Sequence, residues 1–237
     1  MKRIILKISG EALGTSADVK GIDNEKVNNI ALEIKALYDL GQYEIGIVVG
    51  GGNIWRGKDA ALSGMDRTHA DYMGMMATVM NALAIENALI NCGVPAKALT
   101  AFQVPAVADL YSKSKAIESF KEGKVVVFGG GIGLPFFSTD TTAALRGADL
   151  GCELILMAKN GTDGVYDDDP RKNRNAKKYT NLTYSELIDK KLGVMDLTAA
   201  TLCRENNIQI VVFDMNVRGN IKKAATDFSI GTLISNK

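Results

Sequence analysis

The feature that most constrains this chain is a set of short, nearly all-apolar runs, each set off from the next by a longer stretch with helical periodicity. Residues 3–8, 44–49, 96–99, 124–128, 153–157 and 209–213 are rich in Ile, Val and Leu and too short to be helices. Strands apolar on both faces belong inside a parallel sheet covered by helices on both sides. Between the first two runs, Val27, Ile30, Ala31, Ile34, Leu37 and Tyr38 recur at helical spacing, with Asp23 placed to cap the start and Gly41 to end it. The spacing predicts further helices over 71–91, 182–191, 196–206 and 219–226, and a last strand near 232–234. The expected fold is α/β: a three-layer α/β/α sandwich with a mainly parallel central sheet. One domain is expected over 1–237, with an N-terminal lobe of about 1–150 and a C-terminal lobe of about 151–237, their seam lying in the polar stretch 161–179.

With 237 residues, 46% of them hydrophobic, the chain can bury a sizeable core. Lys and Arg total 28 against 27 Asp and Glu, so no basic field draws in a nucleic acid and no polybasic run suits a membrane surface. Cys92, Cys152 and Cys203 are odd in number and form no C-x-x-C pair, which points to a reducing, cytoplasmic setting. Lys7 interrupts Ile4-Ile5-Leu6 before it could serve as a signal core, and no apolar run approaches membrane-spanning length. Met73, Met75, Met76 and Met80 are read as flexible core filler.

Three glycine clusters follow apolar strands: Ser9-Gly10, Gly50-Gly51-Gly52-Asn53 and Gly129-Gly130-Gly131-Ile132-Gly133. In an open α/β sheet, ligands bind beyond the carboxyl ends of the strands, where glycine lets main-chain N–H groups approach phosphate oxygens. Each turn alone could be only a tight turn; three at one edge suggest a long phosphate-bearing ligand or two ligands side by side. The run from Gly52 to Lys58 matches the spacing G-x-x-x-x-G-K, but Asp59 stands where a P-loop needs a hydroxyl for Mg²⁺. Asn53 and Arg56 are read instead as a phosphate clamp on another scaffold. G-x-G-x-x-G fails too, because Phe136 occupies its third glycine position counted from Gly131.

Lys7 lies inside an apolar strand directly before Ser9-Gly10, where it either faces solvent on an alternating strand or, if buried, needs a partner such as a phosphate. Ser138 and Thr139 look like caps of a helix whose first turn carries Asp140, which is either a dipole complement or the group that orients Lys7. His69 is the sole histidine and has no hydrolase context, and the run Asp167 to Asp169 lacks EF-hand spacing. No protein-borne metal site is expected.

Taken together, Lys7-Ile8-Ser9-Gly10-Glu11-Ala12-Leu13, Gly50-Gly51-Gly52-Asn53 with Arg56-Gly57, Asp71-Tyr72-Met73-Gly74-Met75, Pro135-Phe136-Phe137-Ser138-Thr139-Asp140 and Asp163-Gly164-Val165-Tyr166 with Asp169-Pro170 resemble the bacterial UMP kinase family. The similarity runs almost end to end, through Val194-Met195-Asp196 and Gly231-Thr232-Leu233-Ile234. The resemblance implies the amino acid kinase fold and transfer of the ATP γ-phosphoryl group to UMP. Lys7, Asp140 and Arg56 are its catalytic residues. It places ATP on Lys7, Ile8, Ser9, Gly10, Gly52, Arg56, Asn160, Tyr166 and Asp169. It places UMP on Gly51, Asp71, Gly131, Ile132, Gly133, Leu134, Pro135, Phe136, Phe137 and Ser138. It further implies Mg²⁺ carried mainly by the nucleotide phosphates, a homohexamer, and inhibition by UTP. The segment 14–21 departs from the glycine-rich stretch that many relatives link to GTP activation. The basic run 171–178 leaves open which of its residues assists Lys7. A carboxylate kinase of the same fold and a non-catalytic nucleotide-binding protein are the alternatives.

Overall fold

In the computed structural model, which describes residues 1–15, 20–56 and 64–237, the apolar runs pair into one nine-stranded sheet. Its strands are β1 (Lys2–Ile8), β2 (Tyr43–Val49), β3 (Ala96–Thr100), β4 (Asp109–Leu110), β5 (Val125–Gly129), β6 (Leu154–Lys159), β9 (Asn181–Thr183), β10 (Gln209–Asp214) and β11 (Thr232–Ser235). The order is β4-β3-β5-β2-β1-β6-β10-β11-β9, and every neighbouring pair is parallel except β10 with β11. A two-stranded hairpin of β7 (Val165–Tyr166) and β8 (Lys178–Tyr179) stands apart and lies within the polar stretch 161–179.

Helices α1 (Asn24–Tyr38), α2 (Arg67–Asn91) and α7 (Asn220–Thr226) cover one face, while α3 (Lys113–Lys121), α4 (Thr139–Leu150), α5 (Tyr184–Asp189) and α6 (Leu197–Glu205) cover the other. Strand alternation sorts the residues of β1 between these layers. Ile4, Leu6 and Ile8 join the core under α1 and α2, and Ile5 joins the core under α4. Lys7 shares the parity of Ile5, so its side chain must emerge on the α4 side.

Local chemistry sets the helix ends. The Asp23 carboxylate accepts from the N–H groups of Glu25 and Lys26 at 3.0 and 3.2 Å, as its capping position requires. Helix α2 begins four residues before the expected start because Asp66 caps it, accepting from His69 N–H at 3.1 Å. Residues 182–191 are corrected in part: Leu182 is buried in β9, and the helix starts only after Thr183, which forms a capping box with Glu186. Of the four methionines expected in the core, Met75 alone is buried, at 8% exposed; Met80, on the outer face, is 52% exposed. By length and apolarity alone α2 could cross a membrane, but half of its apolar window is buried against the sheet and α1.

Asp196 joins the helices of the α4 face. It caps α6 by accepting from Ala199 N–H at 2.8 Å, and it also accepts from the hydroxyls of Ser138 and Thr141 at the start of α4. Asp196→Ala removes all three acceptor contacts, so urea denaturation is expected to show about 1–3 kcal/mol lower stability at an unchanged m-value.

Candidate active site

The order β5-β2-β1 brings the three glycine turns side by side at the carboxyl edge of the sheet. Gly50 N–H donates to Ile8 C=O at 2.9 Å, which ties the second turn to the first. A Cβ on Gly10 would stand 2.6 Å from Gly50 O and 2.7 Å from Gly52 N, so no larger residue fits between the turns. Helix α2 braces this edge from below. Asn81, fully buried, donates to Gly50 C=O at 2.7 Å and to Asn53 Oδ1 at 2.7 Å, and Asn53 donates back at 3.1 Å. Asn53 Nδ2 also reaches Gly21 C=O at 3.0 Å, and Thr78 Oγ1 accepts Gly130 N–H at 2.8 Å. The Asn53 side chain is therefore turned into the protein, away from the position of a phosphate clamp.

Lys7 is 7% exposed, and its Nζ lies 2.7 Å from Asp140 Oδ1. Asp140 is delivered by the first turn of α4, where Ser138 Oγ accepts from the N–H groups of Asp140 and Thr141 at 3.0 and 3.1 Å. Arg56 bonds Glu11 at 2.5 Å on an exposed rim. The residues Gly57, Lys58 and Asp59 of the P-loop-like spacing lie outside the described residues, as do 16–19 of the segment that departs from relatives.

Two cavities lie near this edge, one reaching Ser138 and Thr139 next to Asp140 and the other reaching Lys159. One, of about 160 Å³, is lined by Gly51, Asp71, Gly131, Leu134, Phe137 and Ser138 of the expected acceptor set, together with Trp55, Ala70, Gly74, Met75, Thr78, Thr139 and Thr142. Ile132, Gly133, Pro135 and Phe136 lie in the adjoining loop without lining it. Asp71 is already engaged, accepting from Arg67 at 2.8 Å and from the N–H of Phe136 at 2.8 Å. Phe136 sits at φ 71°, an uncommon backbone state for an aromatic residue that this bond helps to hold.

The other cavity, of about 510 Å³, is lined by Tyr166, Asp169, Val194 and Lys159 among others. Tyr166 donates to Asp163 at 2.6 Å, which raises its pKa. Asn160, by contrast, accepts from Asn216 at 2.8 Å and lines a third cavity with Glu11 and Arg218. From the basic run, Arg171 pairs with Asp169 at 3.3 Å and Lys178 with Asp163 at 2.9 Å. Lys159, at the end of β6, is close enough to interact with Lys7, and the sequence did not single it out. Asn81, Thr78 and Asp196 were also missed as site supports, because a polar residue on a helix says nothing alone about the loop it braces.

A buried ammonium–carboxylate pair near the meeting of three glycine turns on a parallel sheet has the make-up of a phosphotransferase-type site. The model of the amino acid kinase family matches residues 2–214, and the chain belongs to that family. It is 50% identical over 236 residues to a uridylate kinase of Streptococcus thermophilus, covering 100% of this chain and 96% of that protein. The UMP kinase structure from Ureaplasma parvum superposes with a TM-score of 0.93 at 40% identity, over 99% of this chain and 98% of the other. That from Bacillus anthracis gives 0.95 at 35%, over 100% and 96%.

Truncating Asn81 to Ala strands the Gly50 carbonyl and the Asn53 amide in a buried setting. A loss of roughly 2–4 kcal/mol is expected in thermal or denaturant melts. Gly10→Ala should fold but lose at least about tenfold in turnover, since the new methyl forces the phosphate turns apart.

Proposed function

We propose that the chain is a UMP kinase, moving the γ-phosphoryl group of ATP to UMP to give ADP and UDP for pyrimidine nucleotide synthesis. The observation that carries this function is the buried Lys7–Asp140 pair at 2.7 Å in a member of the amino acid kinase family. The relatives and neighbours named uridylate or UMP kinase supply the acceptor.

UMP lies in the cavity bounded by Gly51, Asp71, Gly131, Leu134, Phe137 and Ser138, with the loop of Ile132, Gly133, Pro135 and Phe136 around it. This gives the N-terminal lobe, about 1–150, to the acceptor and the C-terminal lobe, about 151–237, to the donor. The donor phosphates lie along Ser9, Gly10 and Gly52, with Arg56 released from Glu11 to meet them and Ile8 contributing main chain only. The donor nucleoside lies by Tyr166, Asp169 and Asn160. A UMP phosphate oxygen attacks the γ-phosphorus in line as the bond to the β–γ bridging oxygen breaks, and that oxygen leaves with ADP. The attacking oxygen is already anionic, so no general base is needed; positioning and charge neutralisation suffice. Asp140 holds the Lys7 ammonium against the transferring group.

Among the described residues no cluster of three His, Cys, Asp or Glu side chains forms a cage, and the buried Asp140 Oδ1 is taken up by Lys7 Nζ at 2.7 Å. That donor set suits Mg²⁺ held mainly on phosphate oxygens, where it supplies charge neutralisation. The exposed apolar stripe of Tyr72, Met73, Met76, Met80 and Ile90 on α2 supports self-association, in keeping with a homohexamer. UTP as inhibitor and a cytoplasmic location complete the proposal.

A coupled ADP-release assay across UMP, CMP, dUMP and acidic amino acids should give turnover with UMP; turnover with a carboxylate alone, or with none, overturns the assignment. Lys7→Ala should lower kcat by roughly 10²–10³, the scale for loss of one preorganised donor, with the circular dichroism spectrum kept.

A further inference from the structure

We propose that Lys159 is a second catalytic cation, binding the β-phosphoryl group of the donor and neutralising the charge that builds on the departing diphosphate, a role that rests on the phosphoryl transfer proposed above.

Its position follows from register. Strand β6 runs parallel to β1 with Lys7 opposite Met157 and Ile8 opposite Ala158, so Lys159 stands one step beyond, beside Ser9 and the first glycine turn. Met157 and Lys159 share parity, and Met157 belongs to the core under α4. Both lysines therefore project from the same face of the sheet. Two residues along and one strand across places their Cα atoms about 8 Å apart, a span that lets both ammonium groups address neighbouring phosphoryl groups.

Charge balance indicates what Lys159 awaits. Its Nζ donates to the main-chain carbonyl of Val194 at 2.5 Å, and among the described residues it enters no ion pair with a carboxylate. Asp140 is near enough to act on it but is already paired with Lys7 at 2.7 Å. The acids lining the 510 Å³ cavity are committed elsewhere: Asp169 pairs with Arg171, Asp168 accepts from Asn173, and Asp167 accepts from the Lys177 N–H, while neighbouring Asp163 binds Lys178 and Tyr166; Lys190 and Lys191 line the same cavity and add to its positive charge. Two part-buried ammonium groups thus share one carboxylate, and desolvation together with the Lys7 charge pushes Lys159 below the ordinary lysine range while Asp140 opposes this. A surplus positive charge withdrawn from water is costly to folding unless an anion completes it. The cavity that Lys159 lines also holds Tyr166 and Asp169. A nucleotide with its nucleoside there and its terminal phosphoryl group at Lys7 passes its β-phosphoryl group by Lys159.

The competing account is a structural tie, in which Lys159 only anchors the strand end to the segment carrying Val194. Full-length Lys159→Met and Lys159→Arg separate the two. Expected for Lys159→Met are a kcat lower by about 10², ADP affinity in calorimetry weaker by about tenfold, a KM for UMP within twofold of the parent, and an unchanged or raised Tm. Lys159→Arg should recover much of the kcat and hold its ADP affinity to higher pH than the parent, whose ammonium is neutralised earlier as pH rises. Parental kcat and ADP affinity in Lys159→Met would refute the role, as would losses that track a fallen Tm equally in both variants. Failure of the parent to turn over UMP would instead overturn the proposed function, and ADP calorimetry on parent and Lys159→Met would still decide the part played by Lys159.

Discussion

A lysine withdrawn from water inside an apolar strand needs a counter-charge, and the architecture is arranged around meeting that need. Lys7 finds it in Asp140, and the pair exists only because a helix starts at the right place over the α4 face of the sheet. Ser138 fixes that start by capping, and Asp196 holds Ser138 and Thr141 from a second helix in the other half of the chain. Removing either charge leaves the other buried and alone, an arrangement far more costly than the modest net worth of the intact pair. The ion pair is thus a positioning device whose stability is borrowed from the surrounding helix caps.

The phosphate edge shows the same dependence of function on polar bracing. The glycine turns carry few side chains of their own, so their geometry is imposed by Asn81, Asn53 and Thr78 from below. The reciprocal Asn53–Asn81 amide pair satisfies both buried side chains while also holding Gly50 and Gly21, which links the turn to the segment ahead of α1. Such fully satisfied networks specify a single arrangement, because any displacement leaves a buried donor or acceptor unpaired.

Much of this was legible before any coordinates. Apolar runs of four to six residues correspond to the main strands, and Asp23, Ser138 and Asp196 announce their helices through short-range hydrogen bonds that a local sequence encodes well. What escaped was mostly non-local. The short strands β4, β7 and β8 lack a run long enough to show periodicity, and β9 is a strand because β11 lies beside it. Met73, Met76 and Met80 have the composition of core residues, yet the turn of α2 carries them to the outer face. Asn53 follows three glycines and reads as a ligand contact; only the proximity of Asn81, 28 residues later, turns it inward.

The sequence by itself determined the class of fold, the edge of the sheet at which ligands gather, and the presence of a strand lysine in need of an anion. Hydrophobic pattern and capping chemistry act over a few residues, so they are written locally. The tertiary structure alone decided which groups meet: Lys7 with Asp140, Asp71 with the Phe136 loop, Arg56 with Glu11, and Lys159 beside the first glycine turn without a carboxylate of its own. Those pairings depend on strand order and side-chain parity, which arise only when segments far apart in the chain are laid next to one another.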